Sequence, residues 1–350
     1  RQRQMCIRDS NQKEGSFSID SRNLGLEIYD ILQEPKIQLD RAIGQIIWSK
    51  QRGNWIVSTK KLSLSNPEIS SDLSINYKIG NNKESDYMTL DMGFDQAHLK
   101  TAYRYLPVGM SKDVRAYLSK AFEGGLIRKG HLHIKGDPNQ APYADKQQGE
   151  LTLNLPIAGA SFTPVPLLPS NQGTWSTFTG VNGNIAMNNS YFTVDITKAN
   201  YKQVGLDTFH AEIPNVTANQ LRLSVSGNAT GDAPQLLEYF SKSPAGKKQN
   251  DLVENLLVSG PISLNINLKI PLSGSADTNF DLKLNLPGNR VQWADTPPFE
   301  NLKGGIRINE IHPEFENVSA NFMGGAINIT NSDDGKDKQR FKVTGDIQSK

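Results

Sequence analysis

The sequence predicts a mainly β protein, built as an antiparallel sheet with a few short helices. Apolar and polar residues alternate along many short segments, which is the pattern of strands with one buried and one wet face. Only two segments show the three-to-four spacing of an amphipathic helix. Glycine is frequent, with 29 residues, and favours turns. Many short strands joined by turns follow from these three observations.

The alternation is clearest in four predicted strands. Because successive side chains point to opposite faces of a strand, each of them has one apolar and one polar face. Strands of a parallel sheet between helices would be apolar on both faces, so the pattern indicates antiparallel pairing. The apolar positions are Leu151, Leu153, Leu155 and Ile157; Leu221, Leu223 and Val225; Ile262, Leu264, Ile266, Leu268 and Ile270; and Phe280, Leu282, Leu284 and Leu286.

Two short helices interrupt the strands. Ser111 is a good N-cap for a helix reaching Phe122, and Gly124 and Gly125 follow as a stop signal. A second helix is predicted from Asp232 to Ser241, with Pro234 in its first turn. Ser243 and Pro244 follow it.

The order of helix, alternating strand and Phe-to-Gly segment occurs twice. The Phe-to-Gly segments are 178–183 and 299–304, each followed by alternating apolar residues. A repeat of about 120 residues built of strands indicates a stacked, elongated architecture. We therefore predict a β segment over 11–106, a helix-plus-β repeat over 107–230, and a second, truncated one over 231–350.

The first ten residues, RQRQMCIRDS, show no periodic pattern. They resemble translated sequencing-adapter read-through, and we interpret Arg1 to Ser10 as an artefact outside the fold. That interpretation removes Cys6, the single cysteine. A chain without cysteine fits an oxidising compartment such as a bacterial periplasm, although a low-cysteine genome would give the same result. We expect the natural termini, with any leader or anchor, to lie outside this sequence.

Composition and motifs argue against catalysis and nucleic-acid binding. The 38 basic and 36 acidic residues nearly balance, whereas a nucleic-acid binder needs a basic surface. The sequence lacks a phosphate-binding loop, a His-Glu-x-x-His pair and a nucleophile elbow. His131 and His133 share one strand face, which is more often solvated than metal-bound. We expect no enzyme activity, no cofactor and no metal.

The apolar strand faces leave two structural alternatives. They can seal against each other as a sandwich, since two short helices cannot cover so many strands. Alternatively they stay partly open, and an open apolar face marks a binding surface. A structural or adhesive protein with a sealed core is therefore one reading. A carbohydrate-binding protein is another, but it needs paired carboxylates or clustered aromatics, and the tryptophans at 48, 55, 175 and 293 are dispersed.

Several segments in order resemble one family. Tyr105 to Gly130 reads YLPVGMSKDVRAYLSKAFEGGLIRKG, in which YLP leads into a helix, a Gly-rich turn and a strand that starts at glycine. It is similar to the central portion of the YhdP family, and 233–244, 260–264 and 315–329 are similar too, the last also to AsmA-like proteins. The resemblance covers nearly all of 11–350, without the family's N-terminal anchor and C-terminal part.

The resemblance implies a periplasmic segment of a large Gram-negative envelope protein. The implied fold is a long, twisted β-groove with an apolar lining, as in bridge-like lipid-transfer proteins, and the implied activity is passage of phospholipid between inner and outer membranes. The implied partners are phospholipid acyl chains, and the two membranes through parts outside this chain. The expected lining is Leu151, Leu153, Leu155, Ile157, Ile262, Leu264, Ile266, Leu268, Ile270, Phe280, Leu282, Leu284 and Leu286.

We expect deletion of Arg1 to Ser10 to leave stability and function unchanged, because the segment carries no strand or helix pattern. The measurement is the thermal unfolding midpoint of the protein with and without these ten residues. A clear fall in the midpoint would show that the segment belongs to the fold.

Overall fold

A computed structural model describes residues 4–8, 13–29, 31–32, 34–81, 85–167, 173–248, 254–272, 278–309, 313–331 and 341–346. Over these residues the chain is mainly β, with antiparallel strands in an open sheet and a few short helices, so the predicted fold class is confirmed. In the same ranges no helix is both long and apolar enough to cross a bilayer.

The described residues form 19 strands, three α-helices and two short 3-10 helices. The strands are β1 (Gln4–Arg8), β2 (Glu14–Glu27), β3 (Lys36–Gln51), β4 (Asn54–Ser65), β5 (Ile69–Ile79), β6 (Tyr87–His98), β7 (Phe122–Gly136), β8 (Gly149–Phe162), β9 (Phe178–Asn188), β10 (Tyr191–Tyr201), β11 (Val204–Ile213), β12 (Arg222–Asp232), β13 (Leu256–Ser259), β14 (Pro261–Pro271), β15 (Asn279–Trp293), β16 (Phe299–Asn309), β17 (Pro313–Phe322), β18 (Gly325–Asn331) and β19 (Phe341–Gly345). The helices are α1 (Lys112–Ala121), α2 (Ala233–Lys242) and α3 (Pro244–Lys248), with the 3-10 helices η1 (Leu99–Tyr105) and η2 (Pro138–Gln140).

The chain divides into two compact units. Unit 1 comprises 1–162, 181–194 and 213–219, and unit 2 comprises 163–180, 195–212 and 220–350. The predicted boundaries at 11–106, 107–230 and 231–350 follow the repeat and stay a prediction.

In unit 1, strands β1 to β8 pair in chain order, each antiparallel to the next. Short connections suffice for most of these pairs, as expected of an antiparallel sheet. The longest connection joins β6 to β7 and holds η1 and α1. The Arg104 side chain of η1 contacts Glu34 at 2.6 Å and Glu68 at 2.5 Å, which ties this connection to those that join β2 to β3 and β4 to β5.

In unit 2, β11 pairs with β12, β12 with β14, and β14 to β19 follow in chain order, all antiparallel. The short strand β13 pairs with the C-terminal end of β15, beside the part of β15 that pairs with β14. Gly260, with φ +98°, separates β13 from β14. The two strands therefore form one line with a break at this glycine.

Both predicted helices are confirmed. The Ser111 hydroxyl accepts a hydrogen bond from the Val114 amide at 3.2 Å and caps α1. The sequence predicted that Gly124 and Gly125 end this helix. Strand β7 instead begins directly at Phe122, so both glycines lie inside the strand and that prediction is wrong. Each helix joins two strands that pair, α1 between β6 and β7 and α2 between β12 and the line of β13 and β14. This order is consistent with the predicted repeat.

The N-terminal segment contributes an edge strand. The backbone of Gln4–Arg8 forms β1 and pairs with 16–20 of β2. Any extended segment can add to a free sheet edge through backbone pairing alone. The interpretation of this segment as an artefact stays a prediction.

The connection between β7 and β8 folds back onto the sheet at Tyr143. This side chain is fully buried, and it lies beside the paired glycines Gly136 and Gly149. A Cβ atom added at Gly149 would lie 2.5 Å from the Tyr143 ring and 2.7 Å from the Lys135 carbonyl oxygen. The glycine is therefore required by the close approach of the ring.

We expect Gly149→Ala to destabilise the protein by about 1–3 kcal/mol, because the methyl group overlaps a buried ring and backbone that cannot both move away. Gly124→Ala is the control, since a Cβ atom at this position in β7 meets nothing within 4 Å. Urea unfolding of both variants is the measurement. Equal stability of the two would contradict the close packing of Tyr143.

Candidate functional site

One face of the unit 1 sheet is apolar across five consecutive strands. Strand pairing aligns apolar residues side by side, so that they form rows that cross the sheet from β4 to β8. All residues of the first row are half-buried. In the second row only Leu151 is buried, so the two rows do not form a sealed core. The first row is Leu62, Leu73, Met92, Leu132 and Leu153, and the second is Ile75, Leu90, Ile134 and Leu151.

The four predicted lining residues of β8 all lie in this region, but they differ in exposure. Leu153 and Leu155 are half-buried, whereas Leu151 and Ile157 are 8 % and 6 % exposed. A Cβ atom at Gly130 of β7 would come within 3.0 Å of Leu155, so the absence of a side chain at residue 130 leaves room for that leucine. Leu153 and Leu155 are therefore the more exposed of the four.

Unit 2 has a corresponding apolar face. The predicted lining residues of β14 stand directly opposite those of β15: Leu264 opposite Leu284, Ile266 opposite Leu282, and Leu268 opposite Phe280. The rows continue into the flanking strands β12 and β16. They read Ala229, Leu264, Leu284 and Ile306, then Gly227, Ile266, Leu282 and Ile308, then Val225, Leu268 and Phe280.

Exposure separates one predicted residue of unit 2 from the rest. Ile262, Leu264, Ile266, Leu268 and Ile270 are half-buried, and so are the first three of the four predicted residues of β15. Leu286 is 6 % exposed and belongs to a buried cluster. The register thus brings all the predicted residues of β14 and β15 to one region, with Leu286 at its buried side.

The opposite face of unit 2 is polar, and its side chains form hydrogen bonds and ion pairs between strands. The Asn265 side-chain amide donates to the Asn228 side-chain oxygen at 2.9 Å. Arg307 makes two hydrogen bonds to Asp281, at 2.8 and 2.9 Å, and holds the pKa of that carboxyl below its usual value. This polar face is exposed to solvent, as the alternation predicted.

The corresponding face of unit 1 carries the predicted histidine pair. His133 Nδ1 lies 2.7 Å from Asp91 Oδ1, and His131 Nε2 lies 3.8 Å from the same oxygen. Nearby, the Ser63 hydroxyl and then Lys61 lower the pKa of Asp72 by hydrogen bonding. Among the residues that the structure describes, no group of three His, Cys, Asp or Glu side chains could hold a metal ion.

Comparison with known proteins identifies the family. The family model described as YhdP protein matches residues 8–350. The chain belongs to the YhdP protein family. A curated relative, the intermembrane phospholipid transporter YhdP of Escherichia coli strain K12, is 25 % identical over 230 residues, which cover 65 % of this chain and 17 % of the relative. The chain thus spans about a sixth of that relative's length, and no solved structure matches it.

Several residues of the YhdP-family sheet were not among the predicted lining. They are Leu73 and Ile75 of β5, Leu90 and Met92 of β6, and Leu132 and Ile134 of β7. Each pair follows the same alternation as the predicted strands, so the signal was present in the sequence. What the sequence lacked was the register that aligns these pairs with Leu151 and Leu153.

The helix α2 of this YhdP-family chain lies at the strand ends of unit 2, where it contacts β12 and β13. Its Tyr239 ring contacts Trp175, Phe178 and Tyr201, with ring centroids 5.8, 5.2 and 4.9 Å apart. Burial raises the pKa of the Tyr239 hydroxyl well above its usual value. This aromatic cluster, with one tilted, one stacked and one edge-on ring pair, packs the helix against the strand ends. Trp175 is thereby occupied in packing.

Proposed function

We propose that this chain is a periplasmic segment that carries phospholipid between inner and outer membranes along the apolar faces of its sheet. The observation that carries the proposal is the row structure of these faces, in which aligned apolar side chains are half-buried and not sealed. Membership of the YhdP protein family, with a relative named as an intermembrane phospholipid transporter, supports phospholipid as the ligand.

The physical basis is the cost of moving acyl chains through water. Transfer of an acyl chain of about 16 carbons into water costs roughly 13 kcal/mol of free energy, at about 0.8 kcal/mol for each methylene group. That cost keeps free phospholipid from crossing an aqueous gap. An apolar face that replaces water at every step lowers the barrier, and rows of aliphatic side chains supply it without any specific pocket.

The proposed activity needs no chemical step. The aligned rows offer aliphatic side chains and no nucleophile, acid or base, so the chain acts by partitioning acyl chains and not by catalysis. Movement is then diffusive. The membranes are reached through parts of the protein outside this chain, including an inner-membrane anchor expected on its N-terminal side.

The rival function is a structural or adhesive envelope protein whose sheets seal against each other. Side chains in a sealed core are close-packed and lose nearly all of their exposure. The half-buried leucines and isoleucines of β14 and β15 favour the open face over this rival. The buried cluster of unit 2, which includes Leu286, is what the rival would have everywhere.

Photo-crosslinking in bacterial cells tests the open face. A photoreactive amino acid is placed in the native protein at residues 264, 265, 266 and 267 in turn. Because side chains alternate along β14, we expect phospholipid adducts at 264 and 266, on the apolar face, and none at 265 and 267. Equal labelling of both faces, or none on either, would favour the rival function of a structural or adhesive protein with a sealed core.

A matched pair of substitutions tests whether the face conducts. Leu284→Asp puts a carboxylate opposite Leu264 and Ile306, where desolvation against acyl chains costs several kcal/mol or raises the pKa of the new carboxyl. Asn285→Asp introduces the same group one residue away on the exposed face. Each variant is purified in its folded form and the phospholipid recovered with it is measured. We expect the amount to fall strongly for Leu284→Asp and to stay unchanged for Asn285→Asp. Equal recovery from both variants would contradict passage along this face.

A further inference from the structure

We propose that phospholipid acyl chains contact only part of the apolar face of unit 2, because a row of strand irregularities closes the rest. The open part, here called the track, comprises Leu264, Ile266, Leu268, Leu282, Leu284 and Ile308. The closed part, here called the sealed strip, comprises Leu286, Leu302, Val318, Ala320, Ile327 and Ile329. This division rests on the proposed function and specifies where on the face the lipid lies.

Exposure changes abruptly between the track and the sealed strip. Leu286 and Leu302 are 6 % and 7 % exposed, Val318 is 1 % exposed and Ile327 is 2 % exposed. Leu282 and Leu284 lie on the same strand as Leu286 and have the same aliphatic character, yet both are half-buried. Side-chain chemistry is therefore not the cause of the difference, and position relative to the strand irregularities is.

The irregularities lie next to one another in adjacent strands. Gly260 breaks the line of β13 and β14, Gly288 has φ +144° in β15, and Asn317 has φ +51° in β17. The registers of β15 with β16 and of β16 with β17 shift beside these residues, at 287–291 and at 300–305. Bulges bend a strand and increase its twist, so a row of them across neighbouring strands turns one end of the sheet relative to the other.

Aromatic rings cover the sealed strip. Phe299 and Phe322 stack with ring centroids 4.7 Å apart, and both pack against the cluster. Phe315 and Val291 pack there as well. Ile262 and Ile306 touch the cluster from the side of the track and mark its border. The strip is thus a small closed core inside an otherwise open face.

Asn289 of β15 contacts both sides of the break that Gly260 makes between β13 and β14. Its side chain is 1 % exposed, and its Nδ2 atom donates to the carbonyl oxygens of Ser259 at 3.1 Å and Pro261 at 2.9 Å. These carbonyls flank Gly260, whose added Cβ atom would come within 3.1 Å of the same nitrogen. A side-chain amide of β15 therefore bridges the two carbonyl groups on either side of the break.

Mapping of lipid adducts on the unmodified native protein tests the division. The protein is irradiated with vesicles of phosphatidylethanolamine that carries a diazirine in one acyl chain, and the labelled residues are identified by peptide mass spectrometry. We expect adducts at 264, 266, 268, 282 and 284 of the track, and background labelling at 286, 302, 318 and 327 of the sealed strip. Adducts on both sets would overturn the division while leaving the proposed function intact. Background labelling of both sets would overturn the proposed function itself.

The role of Asn289 as a positioning residue is tested by Asn289→Ala in the same assay. The variant loses both hydrogen bonds to the carbonyls beside Gly260, so we expect the strip to open and adducts to spread to 286 and 302 while those at 282 remain. General unfolding would instead remove the preference for 282 over 283. Asn285→Ala, on the exposed face of the same strand, is the control and should keep the original pattern. An unchanged pattern in Asn289→Ala would show that Asn289 does not hold the border.

Discussion

Cross-strand register is the constraint on which the other features of this chain depend. Side chains alternate strictly along a strand, so a slip of one residue would carry a whole set of leucines to the wet face. In unit 2 the register sets Leu264 beside Leu284, and on the opposite face it sets Asp281 within reach of Arg307. Each face therefore reinforces the other, since apolar rows and charged pairs form only in the same alignment.

Alternation in the sequence was sufficient to predict the two-faced strands and antiparallel pairing. The two helices were also predictable, because Ser111 and Pro234 are local signals that act through the first turn of a helix. These features depend on neighbouring residues alone. They can therefore be predicted without knowing which strands are neighbours in the sheet.

The border between track and sealed strip was not predictable from the same pattern. Leu284 and Leu286 are equivalent in a period-two alternation, yet only Leu286 is buried. We attribute the difference to Gly260 and Asn289, which lie about 30 residues apart in the chain and meet only when β13 pairs with β15. A buried asparagine in a β-rich sequence looks like any turn residue until its carbonyl partners are known.

A face that must bind lipid cannot also supply the full apolar burial that stabilises a fold. Under the proposed function, side chains of the track exchange water for acyl chains only when lipid is bound, so their contribution to folding in water is partial. Stability then comes from the backbone pairing of the strands and from fully buried residues such as Val318 and Ile327. A charged group on the track would accordingly weaken lipid binding more than folding, whereas the same group in the strip would remove core packing. Division of one apolar face into two parts thus lets a single sheet be both stable and open.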